Sequence, residues 1–119
     1  MQTTTVNNLL SVTGQVHTAE VAGVAKGGFK SIICNRPDGE SADQPSFAEI
    51  NAAAEKSGLE ARYIPIVSGG ETNADAVAFA KAMAEMPGPV LAFCRTGNRS
   101  LMMWRKSQRL KEVDSNSPP

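Results

Sequence analysis

Cys94-Arg95-Thr96-Gly97-Asn98-Arg99-Ser100, directly behind the apolar run Val90-Leu91-Ala92-Phe93, is the stretch whose residue types converge on one reaction. A loop that leads from a strand into a helix aims successive backbone N–H groups at one spot, and the helix N-terminus adds the positive end of its dipole. A cysteine at that spot is expected to exist largely as thiolate, the nucleophilic form. Gly97 permits the positive φ of a tight cradle, Arg99 supplies a planar fork for an oxyanion, and Ser100 offers a hydroxyl to the thiolate. Arg95, Thr96 and Asn98 complete the anion-binding loop. Free cysteines are more often buried packing residues, but packing does not require two arginines, a glycine and a hydroxyl residue in the six positions that follow. Cys94 is therefore read as the nucleophile. Arg99 either binds the anionic end of the substrate or packs back to hold the loop.

Other residues stand beside this loop as second-rank candidates. Cys34 ends an apolar segment near the expected mouth; it is either a buried strand cysteine or a resolving thiol for an oxidised Cys94. Arg36 and Asp38 are turn residues that could pair to order their loop, with a substrate contact as the lesser role for Arg36. Glu71 and Asp38 are the carboxyls within reach of a proton-donor role. His17 precedes a helix start and suits a surface or capping role rather than that of a base.

The elements that must position these groups alternate between strand and helix. Leu9 to Val16 reads as a first strand, and Thr18 as the cap of a short helix that stops at Gly27-Gly28. Phe29 to Cys34 is a second strand, closed by the turn-rich Asn35-Arg36-Pro37-Asp38-Gly39. Ser46-Phe47-Ala48-Glu49 is a capping box that starts a helix running to Gly58. Tyr63 to Val67 is a third strand, with Pro65 arguing for its end or an edge. Thr72 or Asn73 caps a helix through Met86, with Val77, Ala80 and Met83 on one face. Val90 to Phe93 is the fourth strand, and Asn98 to Leu110 a last helix carrying Leu101, Met102 and Trp104. This order predicts an α/β fold: a mainly parallel sheet of about four strands with helices on both faces. Ligands gather at the carboxyl ends of such strands, where Cys94, the loop from Cys34 to Gly39 and the loop from Val67 to Thr72 all fall. One domain is expected over residues 9–112, with a flexible N-terminus over 1–8 and a flexible tail over 113–119.

Composition narrows the function classes. The 119 residues are 41% hydrophobic and 20% charged, ordinary for a globular chain. Acidic and basic residues balance at 12 each, which gives no electrostatic case for nucleic acid or an anionic membrane. No run approaches the roughly 18 apolar residues of a membrane span, and the N-terminus lacks the marks of a signal peptide, so a cytoplasmic location is expected. Two cysteines and one histidine match no structural zinc pattern. No metal and no cofactor are expected.

The turn from strand to Cys94-x-x-Gly97-x-Arg99-Ser100 and helix resembles those of rhodanese-like sulfurtransferases and of cysteine-dependent protein phosphatases. Together with Leu10 to Gln15, Ile33 to Glu40, Gln44 to Phe47 and Ile64 to Val67, it resembles the beta-lactamase-hydrolase-like phosphatase-like family, over a span from about Leu9 to Trp104. The resemblance implies the three-layer fold of tyrosine and dual-specificity phosphatases. Members of that family carry sulfur-transferase or phosphatase labels and occur alone or fused to a metallo-beta-lactamase-type persulfide dioxygenase, so a thiol acceptor or such a dioxygenase is the implied partner.

Two details weigh the labels. Cysteine phosphatases place five residues between cysteine and arginine, whereas this chain has four and follows the rhodanese pattern Cys-Arg-x-Gly-x-Arg. Those phosphatases also use an aspartate to protonate the leaving oxygen, and Ser68-Gly69-Gly70-Glu71 has none. The leading expectation is a sulfurtransferase in which Cys94 takes the outer sulfur of a thiosulfate or persulfide donor and passes it to an acceptor thiol, the loop amides stabilising the persulfide. The alternatives are a phosphatase working through a phosphocysteine, and a non-catalytic module that senses a persulfide or oxyanion. A carboxylic acid near the sulfur would favour the phosphatase, and an occluded Cys94 the sensing module.

Overall fold

Val90-Leu91-Ala92-Phe93 is apolar at every position, the pattern of a strand covered on both faces, and it forms the centre of the sheet. In a computed structural model that describes residues 1–115, with side chains through residue 111, this strand, β5 (Val90–Phe93), pairs in parallel with β2 (Leu10–Thr13) and β3 (Ser31–Cys34). The sheet extends outward through β4 (Glu60–Tyr63), parallel to β3, and β1 (Thr3–Thr5), antiparallel to β2, giving the order β1-β2-β5-β3-β4.

Side chains that alternate along the strands build two cores. Leu10, Val12, Ile33, Val90 and Ala92 pack with Ala76, Phe79 and Ala82 of α3 (Asn73–Glu85) and Met103 of α4 (Asn98–Ser115). Ile32, Cys34, Leu91 and Phe93 pack with Val21 and Val24 of α1 (Val21–Lys26) and Ile50 and Ala54 of α2 (Phe47–Lys56). Helices thus cover both faces, and burial of each large apolar side chain contributes about 1.5–3 kcal/mol.

The expected capping boxes form. Ser46 Oγ accepts from Glu49 N–H at 3.2 Å while Glu49 Oε1 accepts from Ser46 N–H at 3.1 Å. Thr72 and Asp75 make the same exchange at 3.1 and 3.0 Å, fixing the start of α3. Each cap satisfies two amide donors that a helix start otherwise leaves unpaired.

The elements differ from the sequence expectation in several places; the first parallel strand is Leu10–Thr13 rather than Leu9 to Val16, and the second starts at Ser31 rather than Phe29. The sheet has five strands among the described residues rather than about four, because Thr3–Thr5, assigned to a flexible N-terminus, pairs with β2 as an edge strand. The third parallel strand is Glu60–Tyr63, upstream of the apolar run assigned to it. Extended pairing nevertheless continues, as Ile64 N–H and Ile66 N–H donate to Cys34 and Asn35 carbonyls at 2.9 Å each. Pro65, which has no N–H, falls at the alternate position where no donor is needed. In α3 the inward stripe is Ala76, Phe79 and Ala82, and Val77 is 60% exposed, one position off the expected face. Helix α4 continues to Ser115, past Leu110; of the tail assigned to 113–119, residues 116–119 lie outside the described residues. Among the described residues no helix is long and apolar enough to cross a membrane.

Candidate active site

β5 delivers Cys94 to the middle of the sheet's carboxyl edge, and the chain then closes into α4 within four residues. Gly97 makes that closure possible: its φ is +95°, and a Cβ there would lie 3.3 Å from the Thr13 carbonyl. Gly14 allows the matching approach from β2, where an added Cβ would lie 3.0 Å from the Arg95 carbonyl oxygen. Gln15 N–H donates to that same carbonyl at 3.2 Å, pinning the loop against the neighbouring strand. Thr96 Oγ1 accepts from Asn98 N–H at 3.3 Å at the helix start.

The closed loop wraps its amides around sulfur. Gly97 N–H donates to Cys94 Sγ at 3.0 Å. Burial alone would push the thiol upward, but backbone N–H groups of Ser100, Thr96, Arg99 and Gly97 favour the thiolate and bring Cys94 below its ordinary value. Ser100 acts here through its amide. Its hydroxyl, expected to reach the thiolate, instead donates to Asn35 Oδ1 at 2.8 Å, because Asn35 is fully buried and its amide oxygen needs a donor. Asn35 Nδ2 in turn donates to the Ile64 carbonyl at 2.9 Å, so one buried amide ties the β3 end, the β4 end and α4 together.

Of the two roles considered for Arg99, its contacts are those of packing back. Its guanidinium lies close enough to the Cys94 thiolate for that charge to favour the protonated arginine, and it is anchored from behind, with Nη1 donating to the Ile66 carbonyl at 2.9 Å. Glu40 holds it by a two-point contact, Nη1 to Oε2 at 2.7 Å and Nη2 to Oε1 at 2.8 Å. Glu40 also accepts from Arg36 Nε at 3.0 Å, and Arg36 Nη1 donates to Gln15 Oε1 at 2.9 Å. The Arg99 contact first, then Arg36, holds the Glu40 carboxyl below its ordinary value against partial burial. The same contact raises Arg99.

Above this network lies an open cavity of about 810 Å³, walled by Arg36, Glu40, Ser41, Ser68, Glu71 and Met102, with Arg95, Thr96, Asn98 and Arg99 from the loop. Cys94 is fully covered beneath it. Two expected site residues sit elsewhere. Asp38 does not pair with Arg36; its Oδ1 accepts from Phe47 N–H at 2.8 Å, capping α2. Cys34 faces the α1–α2 core, and burial pushes its thiol up to about 12, against a weaker opposing hydrogen bond from the Arg36 backbone and the Arg36 charge. Glu40 is the residue of this candidate site that motif reading missed. Its only local signal is the Arg36-x-x-x-Glu40 spacing, since its main partner is distant in sequence.

The central parallel strand, its cysteine in a ring of amides and the arginine in the first turn of the next helix define a phosphatase-like α/β domain. Residues 2–111 match the family described as beta-lactamase hydrolase-like protein, phosphatase-like domain, and the chain belongs to that family. A beta-lactamase hydrolase-like protein of Xylella fastidiosa is 38% identical over 108 residues, covering 91% of this chain and 25% of the relative. The chain thus spans about a quarter of the length of the curated relatives it matches. A Neisseria meningitidis protein described as a candidate phosphatase superposes with a TM-score of 0.81 at 30% identity, covering 97% of this chain and 79% of that one. The core catalytic domain of a PP-IP phosphatase from S. cerevisiae shares the fold, with a TM-score of 0.62 at 12% identity, covering 90% and 74% of the two chains.

Proposed function

We propose that this domain is a cysteine-class phosphatase that hydrolyses phosphate esters through a phosphocysteine on Cys94. The observation that carries the reading is the ring of amides from Thr96 to Ser100 that lowers the Cys94 thiol, with Arg99 beside it. Membership of a phosphatase-like family, and similarity to a candidate phosphatase, support it.

In the first step the thiolate attacks phosphorus, the S–P bond forms and the ester P–O bond breaks. The leaving oxygen takes a proton from a carboxylic acid, and Glu71, which lines the cavity, is the group assigned to that role. Water then attacks the phosphocysteine, Glu71 accepts its proton, and the thiolate returns as inorganic phosphate leaves. Amides and Arg99 stabilise the equatorial oxygens as charge shifts onto them.

Two observations favour other readings. The four-residue spacing between Cys94 and Arg99 favours sulfur transfer, and full burial of Cys94 favours a sensing module that binds an oxyanion or persulfide without turnover. Steady-state kinetics on para-nitrophenyl phosphate and on thiosulfate with cyanide separate the three. The phosphatase reading expects kcat/KM to be higher for the ester. Faster thiocyanate formation would replace it with sulfur transfer, and no turnover of either would leave the sensing module.

A further inference from the structure

Helix α4 carries a second charged surface that the Cys94 chemistry does not use. Met102, Arg105, Lys106 and Arg109 line a second cavity of about 340 Å³ on the helix flank, and Glu71 and Met102 belong to both this cavity and the one above Cys94. The two therefore form one trough. Arg105 and Arg109 are exposed, and neither they nor Lys106 have a hydrogen bond or ion pair among the described residues. Arg95, exposed on the near rim, is likewise without a side-chain partner there. Three cations within five consecutive helix positions repel one another, and an anion from outside would relieve that repulsion.

We propose that the trough binds an extended phosphorylated peptide whose phosphate lies over Cys94 and whose acidic side chains lie on Arg105, Lys106 and Arg109; this rests on the phosphatase reading. Spacing selects the ligand. At a rise of about 1.5 Å per residue, Arg105 and Arg109 lie about 9 and 15 Å along the helix from Arg99. An extended peptide advances about 3.3 Å per residue, so the acidic group belongs about three to five residues from the phosphorylated one. Glu71 stands between the two subsites. Met102, 51% exposed at the junction, offers apolar contact to the intervening residues.

The test uses the full chain and two tyrosine-phosphorylated peptides, one with glutamates four residues to either side of the phosphotyrosine and one with glutamines there. The acidic peptide should be hydrolysed with roughly fivefold higher kcat/KM, a margin that shrinks with added salt. The Arg105→Gln, Lys106→Gln, Arg109→Gln triple variant should lose that margin while its hydrolysis of para-nitrophenyl phosphate stays at the wild-type rate. Equal rates for the two peptides with the wild-type chain would overturn the proposal. If neither peptide nor the aryl phosphate is hydrolysed, the phosphatase reading fails by itself, and fluorescence anisotropy of the same peptides judges the trough: tighter binding of the acidic one sustains it, and equal binding removes it.

Discussion

Cys34 and Cys94 end neighbouring parallel strands, yet their thiols move in opposite directions. Cys34 pairs in register with Phe93, so Cys94 lies one residue further along and its side chain leaves the sheet differently. After Cys34 the chain stays open, and the thiol finds one acceptor, the Arg36 carbonyl at 3.4 Å, with burial pushing it up to about 12. After Cys94 the chain closes into a helix, and amide donors replace the water that burial removes. Burial disfavours both thiolates. What separates them is how many backbone groups oppose that burial: those of Thr96, Gly97, Arg99 and Ser100 at Cys94, that of Arg36 at Cys34.

Substituting each cysteine should separate them most. Cys94→Ser should lower aryl phosphate turnover on the order of 10³-fold or more, because a serine hydroxyl stays protonated where the thiol ionises. Cys34→Ser should stay near the wild-type rate in the same assay. Comparable losses in both, with both variants folded by circular dichroism, would erase the distinction.

Removing the charge behind Arg99 is the next largest change. Glu40→Gln leaves Arg99 and Arg36 without their shared carboxylate and should cost up to about 10²-fold in kcat through misplacement of the guanidinium. It should also lower stability by about 1–3 kcal/mol in urea unfolding. Since the folded-state Glu40 pKa is lowered, its contribution is complete above the unfolded value and lost as pH falls through the folded one. The stability gap between wild type and variant should therefore close on acidification; a gap independent of pH would show that Glu40 acts through packing.

Gly97→Ala tests the loop that makes the difference between the cysteines. A φ of +95° and the 3.3 Å approach to Thr13 should cost about 1–2 kcal/mol and loosen the ring of amides. The Cys94 thiol should then titrate at higher pH, read by the thiolate absorbance that is missing in Cys94→Ser. An unchanged titration would place the pKa control elsewhere.

Alkylation is the mildest probe. Because the Cys94 pKa is lowered from 9.0, iodoacetamide should label it ahead of Cys34 at neutral pH, at a rate that rises through a midpoint below 9.0. Labelling of Cys34 first would reverse the assignment.

How far the sequence reveals this arrangement depends on where each signal resides. β5 and its loop are legible because four successive apolar residues, a cysteine, a glycine and an arginine lie within ten positions. Ser46 and Thr72 are legible because a capping box is local. β1 is hidden because Thr3–Thr5 is polar and exposed, a strand made by pairing with β2 rather than by an apolar stripe. The α3 face is displaced by one position because alanines lie on both sides of the helix and the deciding residue, Phe79, is outnumbered. Glu40 is hidden for the opposite reason. Its role exists only once the fold brings it to Arg99, 59 residues away in the chain.

The central claim is that Cys94 carries the transferred phosphoryl group. Rapid acid quench during turnover of an aryl phosphate, followed by mass spectrometry of the Cys94 peptide, reads it directly. The account predicts a phosphoryl adduct on Cys94 that appears before steady state and is absent from Cys94→Ser. An unmodified Cys94 during turnover, or an added sulfur after thiosulfate in a protein that forms no phosphoryl adduct, would contradict it.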